Sequence, residues 1–323
     1  MDRTRDRTRD RTRAPGSGAG DATAQRHVLD ADVAERVAHL RVRARHVVEG
    51  LRSGLHRSPH RGASVIFAEH REYRPGDDLR LLDWRAYARS DRHSIKRFEQ
   101  ETHLRAHLVL DASASMTYDG GRSDTGKSGH ATTLLGAIGM ILLGQGDAAG
   151  AHVIDEDLLR SVPPRSRPDH LEAILRMFAE PPRPKARTHL RPALTALAER
   201  IGRRALVVIA SDLLDFDPNA LEPLALLKAR GHDVRVFHVL HPDELDFDLR
   251  DRARFEDPEG DGWLDVDPPA IRDAYRGELA RFMDDCRRRC VAAGARYALA
   301  RTDQPIQELL AEALGRHRRG AWG

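Results

Sequence analysis

Leu108-Val-Leu-Asp111-Ala-Ser113-Ala-Ser115-Met116 joins a short apolar run to a carboxylate and two hydroxyls at alternate positions. The apolar run predicts a buried β-strand, and the polar residues then follow its carboxyl end on one tight loop. Carboxylate and hydroxyl oxygens are hard donors that suit Mg²⁺ or Mn²⁺ and are poor ligands for zinc or copper. The pentapeptide alone is a weak signal, because a Ser/Asp turn that caps the next helix has the same composition.

Strand-like and helical patterns alternate along the chain from residue 103 onward. The strand-like runs are 107–110, 151–154, 205–210, 234–240 and 297–300. The helical patterns are 131–143, 169–179, 190–201, 219–230, 270–292 and 304–316. This alternation predicts an α/β fold with a doubly wound, mostly parallel sheet flanked by helices. In such sheets, ligands bind beyond the carboxyl ends of the strands.

Two more connections offer an oxygen ligand. Leu206-Val-Val-Ile-Ala-Ser211-Asp212 is a strand-like run that ends in a carboxylate, and Thr188 stands at the start of a predicted helix. Three strand-to-helix connections therefore contribute to one candidate metal site. Its predicted ligands are Asp111, Ser113, Ser115, Thr188 and Asp212. This set resembles the metal-ion-dependent adhesion site of von Willebrand factor A domains.

The segment before this site carries a second motif. Glu69-His-Arg-Glu-Tyr-Arg-Pro-Gly-Asp-Asp78 and Asp83-Trp-Arg-Ala-Tyr-Ala-Arg89 closely resemble the hallmark of the family called domain of unknown function 58 (DUF58). The strand-like run 107–110, which precedes Asp111, is preceded by Lys96-Arg-Phe-Glu-Gln-Glu-Thr102, as it is in that family. The resemblance runs from about residue 30 to residue 316. It implies a von Willebrand factor A-like fold, and genes of such proteins often lie beside those of MoxR-type AAA+ ATPases.

The resemblance also implies a function, namely a metal-dependent protein-interaction module that is not an enzyme. Ser113, Ser115 and Thr188 are expected to coordinate one Mg²⁺ or Mn²⁺ directly, while Asp111 and Asp212 mainly hold waters. A partner's Asp or Glu would complete the coordination, and a MoxR-type AAA+ ATPase is the first candidate partner. On this view, Asp212→Ala weakens cation retention and leaves the fold largely intact.

The chain is expected to have three parts. Residues 1–27 are predicted to be a disordered, arginine-rich tail, because Asp-Arg-Thr-Arg repeats there without apolar residues. Residues 28–102 are predicted to hold an N-terminal amphipathic helix and the family-signature segment, packed on the main domain. Residues 103–318 are predicted to form the von Willebrand factor A-like domain.

An enzyme is the main alternative, either a metal-assisted hydrolase or a nucleotide hydrolase that uses Lys127. Gly121-Arg-Ser-Asp-Thr-Gly-Lys-Ser128 formally matches the phosphate-binding P-loop. A P-loop requires its first glycine directly after a strand, whereas Gly121 follows the predicted strand end by about ten residues. No catalytic residue is assigned, since Gly-x-Ser-x-Gly and His-Glu-x-x-His motifs are absent from the sequence. A weaker alternative is nucleic-acid binding through the arginine-rich tail.

Charge, hydropathy and cysteine content argue against several classes of protein. A net charge of +3 over 323 residues gives little support to a dedicated nucleic-acid binder. No apolar run approaches the ~18 residues that a membrane span requires, and the first residues lack the apolar core of a signal peptide. Two cysteines, Cys286 and Cys290, cannot form a four-thiolate zinc site. We therefore expect a cytoplasmic protein with reduced thiols and no membrane span.

Overall fold

The structure is a computed structural model. It describes residues 18–56, 70–72, 94–96, 104–120, 126–155, 158–180, 189–202, 204–215, 217–256 and 262–315.

Eight helices and ten strands lie within the described ranges. The helices are α1 Gly18–His56, α2 Lys127–Gly144, α3 His170–Ala179, α4 Leu190–Arg200, α5 Glu222–Ala229, α6 Pro242–Asp246, α7 Pro268–Ala292 and α8 Ile306–Gly315. The strands are β1 His70–Glu72, β2 Ser94–Lys96, β3 Arg105–Asp111, β4 Ala148–Asp155, β5 Leu158–Arg165, β6 Leu206–Ser211, β7 Asp233–Leu240, β8 Ala253–Glu256, β9 Trp263–Val266 and β10 Arg296–Arg301.

Six strands form the central sheet in the order β5-β4-β3-β6-β7-β10. All neighbours run parallel except β5, which pairs antiparallel with β4 at one edge. Counted along the chain within this sheet, the order is 3-2-1-4-5-6, the doubly wound arrangement. The predicted fold class is therefore confirmed, an α/β fold built on a doubly wound, mostly parallel sheet. Its order reverses between β3 and β6, which is where such folds bind ligands.

Helices cover both faces of this sheet. Successive side chains of a strand point to opposite faces, so each strand contributes to two hydrophobic cores. In β3, Leu108 and Leu110 belong to the core shared with α1, α2, α3 and α8. Val109, between them, belongs to the other core, which is shared with α4, α5 and α7. Strands buried on both faces read as continuous apolar runs, which explains why β3 and β6 were readable in the sequence.

The N-terminal helix α1 packs on the main domain through one apolar face. Val37, Leu40, Ala44 and Val47 are buried in the same core cluster as Leu134 of α2. Their three- and four-residue spacing is the one that predicted an amphipathic helix.

The start of α1 differs from the sequence-based expectation. The helix begins at Gly18, so helical structure extends into residues 18–27, which were predicted to be disordered. Ala19, Ala22 and Ala24 favour a helix in this segment, and the last proline before it is Pro15. Residues 1–17 and most of the signature segment lie outside the described residues, apart from the antiparallel pair β1–β2.

Strand β5 was not predicted from the sequence. Pro163 and Pro164 interrupt its pattern, but an edge strand tolerates proline because one side of its backbone has no sheet partner. The short β8–β9 hairpin was also missed. In the described ranges, no helix combines the length and apolar character that crossing a bilayer requires.

The contact between β4 and β5 depends on Gly150. A Cβ at this position would lie 2.6 Å from the Val162 carbonyl oxygen and 2.7 Å from the Pro164 nitrogen, both of which are backbone atoms. We expect Gly150→Ala to lower the free energy of unfolding by about 1–3 kcal/mol, as overpacking does elsewhere. Urea denaturation measures the change. Gly144→Ala is the control, since its Cβ meets nothing within 4 Å; equal stability of the two variants would contradict the expectation.

Candidate metal site

The loop after β3 is held by the carboxylate of Asp111. Its Oδ1 accepts a hydrogen bond from the Ser113 backbone N–H at 2.9 Å, which closes a tight turn. Its Oδ2 accepts a hydrogen bond from the Ser211 hydroxyl at 2.6 Å, across the junction between β3 and β6. Both carboxylate oxygens are therefore oriented by neighbours, and the side chain is only 2% exposed.

The two serine hydroxyls that follow are side by side. Ser113 Oγ and Ser115 Oγ lie 3.0 Å apart and share a hydrogen bond. Ser115 opens the short 3₁₀ turn Ser115–Thr117, which turns its side chain back toward Ser113. Both side chains are buried at the carboxyl end of β3, and each hydroxyl oxygen keeps a lone pair for a further partner.

Asp212 lies beside this loop, immediately after β6. Its Oδ1 accepts the Leu214 backbone N–H at 3.2 Å, and its side chain is fully buried. The next residue, Leu213, adopts the left-handed conformation with φ 57°, which costs energy in a residue with a side chain. Its N–H donates to Ser211 Oγ at 2.9 Å. The strained turn thus fixes the direction of the Asp212 carboxylate.

Lys127 brings a positive charge into the same cluster. It is the first residue of α2, its side chain is 1% exposed, and its Nζ donates to Asp212 Oδ2 at 2.8 Å. A second bond of 2.8 Å joins Nζ to Glu244 Oε1. Burial lowers the pKa of Lys127, but the charges of Asp212 and Glu244 outweigh it and hold the pKa above its usual value. The lysine is therefore charged.

Glu244 connects this ion pair to α6. While its Oε1 accepts from Lys127, its Oε2 accepts the His241 backbone N–H at 2.7 Å and caps the helix. The loop after β3 also reaches α6, since the Tyr118 hydroxyl donates to Asp243 Oδ2 at 3.0 Å. The cluster is thus bounded by the ends of β3, β6 and β7.

The electrostatics of the cluster favour an added cation. Burial and the nearby charge of Asp212 together raise the pKa of Asp111 to about 7. A carboxyl whose pKa is raised in this way disfavours its own negative charge, and a cation beside it would stabilise that charge.

The structure brings together four of the five predicted ligands. Hydrogen bonds connect Asp111, Ser113 and Ser115, and Asp212 directly follows Ser211, whose hydroxyl donates to Asp111. Thr188 lies outside the described residues. The nearest described point is Leu190 at the start of α4, whose N–H donates to Asp215 Oδ2 on the loop after β6 at 2.8 Å.

The chemistry of this donor set fits a hard divalent cation. In the part of the chain that the structure describes, no group of three or more His, Cys, Asp or Glu side chains could hold a metal. A cation at this edge would therefore depend on the hydroxyls of Ser113 and Ser115 together with Asp111 and Asp212. Such an all-oxygen set suits Mg²⁺ or Mn²⁺.

Sequence reasoning missed two residues of this site. Lys127 was considered only as a P-loop lysine, because no local sequence pattern reports its contacts with Asp212 and Glu244. Glu244 was not singled out, because its His241-Pro-Asp-Glu context reads as an ordinary helix start.

Comparison with known proteins yields one similar sequence and two similar solved structures among its matches. An uncharacterized protein of Mycobacterium tuberculosis strain H37Rv is 29% identical over 295 residues, which cover 90% of this chain and 92% of the relative. The crystal structure of BatB from Bacteroides thetaiotaomicron is 16% identical, with a TM-score of 0.41, and covers 67% of this chain and 100% of BatB. The SpRpn10 VWA domain is 10% identical, with a TM-score of 0.37, and covers 65% of this chain and 94% of that domain.

A family model described as protein of unknown function DUF58 matches residues 69–283. The match spans more than half of the chain, and it includes the loop after β3 and the loop after β6. The chain therefore belongs to the DUF58 family.

Proposed function

We propose that this chain is a protein-interaction module that binds a carboxylate of another protein through a divalent cation, Mg²⁺ or Mn²⁺. The observation that supports the proposal is the cluster at the point where the strand order reverses. There, Asp111, Ser113, Ser115 and Asp212 present oxygen atoms from two adjacent strand ends.

The residues of the cluster would have two roles in binding the cation. Ser113 and Ser115 offer neutral hydroxyl oxygens, and Thr188 is expected to add a third. Asp111 and Asp212 supply negative charge nearby, and each is oriented by hydrogen bonds from the backbone or from Ser211. A cation held mainly by neutral oxygens would keep much of its positive charge and offer it to an incoming carboxylate.

The partner that we propose is a MoxR-type AAA+ ATPase that presents an Asp or Glu. This part of the proposal comes from the family resemblance. A carboxylate is the favoured group because charge-assisted contacts are stronger than contacts with a neutral oxygen.

The contacts of Lys127 argue against the alternative of a nucleotide hydrolase. A P-loop lysine reaches toward phosphates, whereas Lys127 Nζ is buried between two carboxylates. Negative carboxylates around the ammonium would repel a phosphate group. We therefore propose a binding role without a chemical step.

Calorimetry with MgCl₂ tests the metal site. We expect the wild-type chain to bind one Mg²⁺, and the Ser113→Ala/Ser115→Ala variant to bind it at least tenfold more weakly because two hydroxyl ligands are lost. Ser161→Ala is the control, since Ser161 lies on β5 at the far edge of the sheet. Equal Mg²⁺ affinity in the wild type and the double variant would overturn the proposal.

The same material tests the role of the metal in partner binding. The MoxR-type ATPase is added to the wild-type chain in Mg²⁺ and again in excess chelator. We expect the complex to form only in Mg²⁺. Binding at full strength in chelator would show that this surface does not use a metal.

A further inference from the structure

Lys127 carries a buried charge at the point where a divalent cation is expected. Burying an ammonium is costly, and the cost is offset here by two carboxylates at 2.8 Å, those of Asp212 and Glu244. Of the side chains that are fully buried in the described residues, that of Lys127 is among the largest.

The ammonium and a divalent cation would share Asp212. The Oδ2 atom of Asp212 already accepts from Lys127 Nζ, and Oδ1 accepts the Leu214 N–H. A cation beside Asp111 and Asp212 would be repelled by an ammonium at hydrogen-bond distance from one of them. The two positive groups are therefore alternatives at this carboxylate.

Glu244 would keep the Lys127 ammonium paired if a divalent cation replaced it at Asp212. It has its own contact with Lys127 Nζ, and its side chain is 21% exposed, whereas that of Asp212 is fully buried. If the ammonium leaves Asp212, it keeps Glu244 as a partner near solvent. A lysine with a single buried partner would have no such second position.

We propose that Lys127 is the resident cation of the site, which holds Asp212 in the metal-free protein and is exchanged at Asp212 for a divalent cation. This inference rests on the proposed function. Lys127 then sets the metal affinity, because every binding event must break its contact with Asp212. In the absence of metal, the Lys127 ammonium compensates the charges of Asp212 and Glu244.

Calorimetry with MgCl₂ on Lys127→Met tests this inference in the full-length chain. We expect the variant to bind Mg²⁺ at least tenfold more tightly than the wild type, because the competing ammonium is gone. Its melting temperature should be lower without Mg²⁺ and should recover in saturating Mg²⁺. The matched control is Lys228→Met, which removes the exposed ammonium of Lys228 on α5 and should leave both quantities unchanged.

The outcomes separate the two proposals. Equal Mg²⁺ affinity in the wild type and Lys127→Met would overturn the exchange and leave the metal site standing. Mg²⁺ binding by Lys127→Met alone would show that Lys127 excludes the cation from the wild-type chain, and would overturn both the exchange and the proposed function. Absence of Mg²⁺ binding in both proteins would overturn both.

A measurement on the wild-type chain covers the case in which Lys127→Met does not fold. An amine-reactive reagent labels lysines, and mass spectrometry compares Lys127 with Lys228. We expect labelling of Lys127 relative to Lys228 to rise severalfold at saturating Mg²⁺, because the ammonium moves from buried Asp212 toward solvent. An unchanged ratio at Mg²⁺ saturation would overturn the exchange.

Discussion

Asp212→Ala is expected to lower the free energy of unfolding by about 3–5 kcal/mol, measured by urea denaturation without Mg²⁺. The change removes one of the two carboxylates that compensate the buried Lys127 ammonium. Breaking a buried ion pair from one side costs this much because the remaining charge stays desolvated. The Leu214 N–H also loses its acceptor on Asp212.

The control applies the same chemical change to a surface pair. Asp169 pairs with Arg167 at 2.8 Å, and both side chains are about two-thirds exposed or more. Exposed pairs contribute about 0–1 kcal/mol, so Asp169→Ala should have little effect. If the two variants were equally stable, the Lys127–Asp212 pair would not contribute to folding.

This expectation differs from the one that the sequence supported, in which Asp212→Ala leaves the fold largely intact. The reason is the separation along the chain. Lys127 is 85 residues from Asp212 and 117 residues from Glu244, and no local pattern reports such a contact. Asp111 and Asp212 could be placed from the sequence because Asp111 ends the apolar strand β3 and Asp212 directly follows the apolar strand β6.

The fold shows the same contrast between features that local sequence determines and features that distant contacts determine. Strands buried on both faces, such as β3 and β6, are continuous apolar runs and were predicted. Strand β5 has one sheet partner and two prolines, so its existence depends on β4 and on the close approach at Gly150. Parts of the fold that are defined by tertiary contacts were not readable from local sequence.

Acid is expected to destabilise the protein steeply between about pH 6.5 and pH 4. Burial, and then the nearby positive charges, lower the pKa of His107 from 6.5 to about 4. Burial, and then His107, lower the pKa of His152 to about 3. The two rings are hydrogen-bonded at 2.8 Å between β3 and β4. Two further buried histidines have pKa values of about 4, namely His130 and His238.

The protein loses stability in acid because the unfolded chain binds more protons than the folded chain in this pH range. Below about pH 6.5 the unfolded chain takes up a proton at each of these histidines, while the folded chain does not until near pH 4 or below. Each histidine therefore lowers the free energy of unfolding by about 1.4 kcal/mol per pH unit as the pH falls. Asp111 acts in the opposite direction, because its pKa is raised to about 7 in the folded state. Four histidines outweigh this one carboxyl.

Urea denaturation of the metal-free protein between about pH 7 and pH 4.5 measures the slope. In the His107→Leu/His152→Leu variant we expect the slope to fall by about 2–3 kcal/mol per pH unit, because two of the protonation sites are removed from the unfolded chain. His39→Leu is the control, since His39 is exposed on α1 and should leave the slope unchanged. A slope in the double variant equal to that of the wild type would mean that the His107–His152 pair is not the source of acid sensitivity.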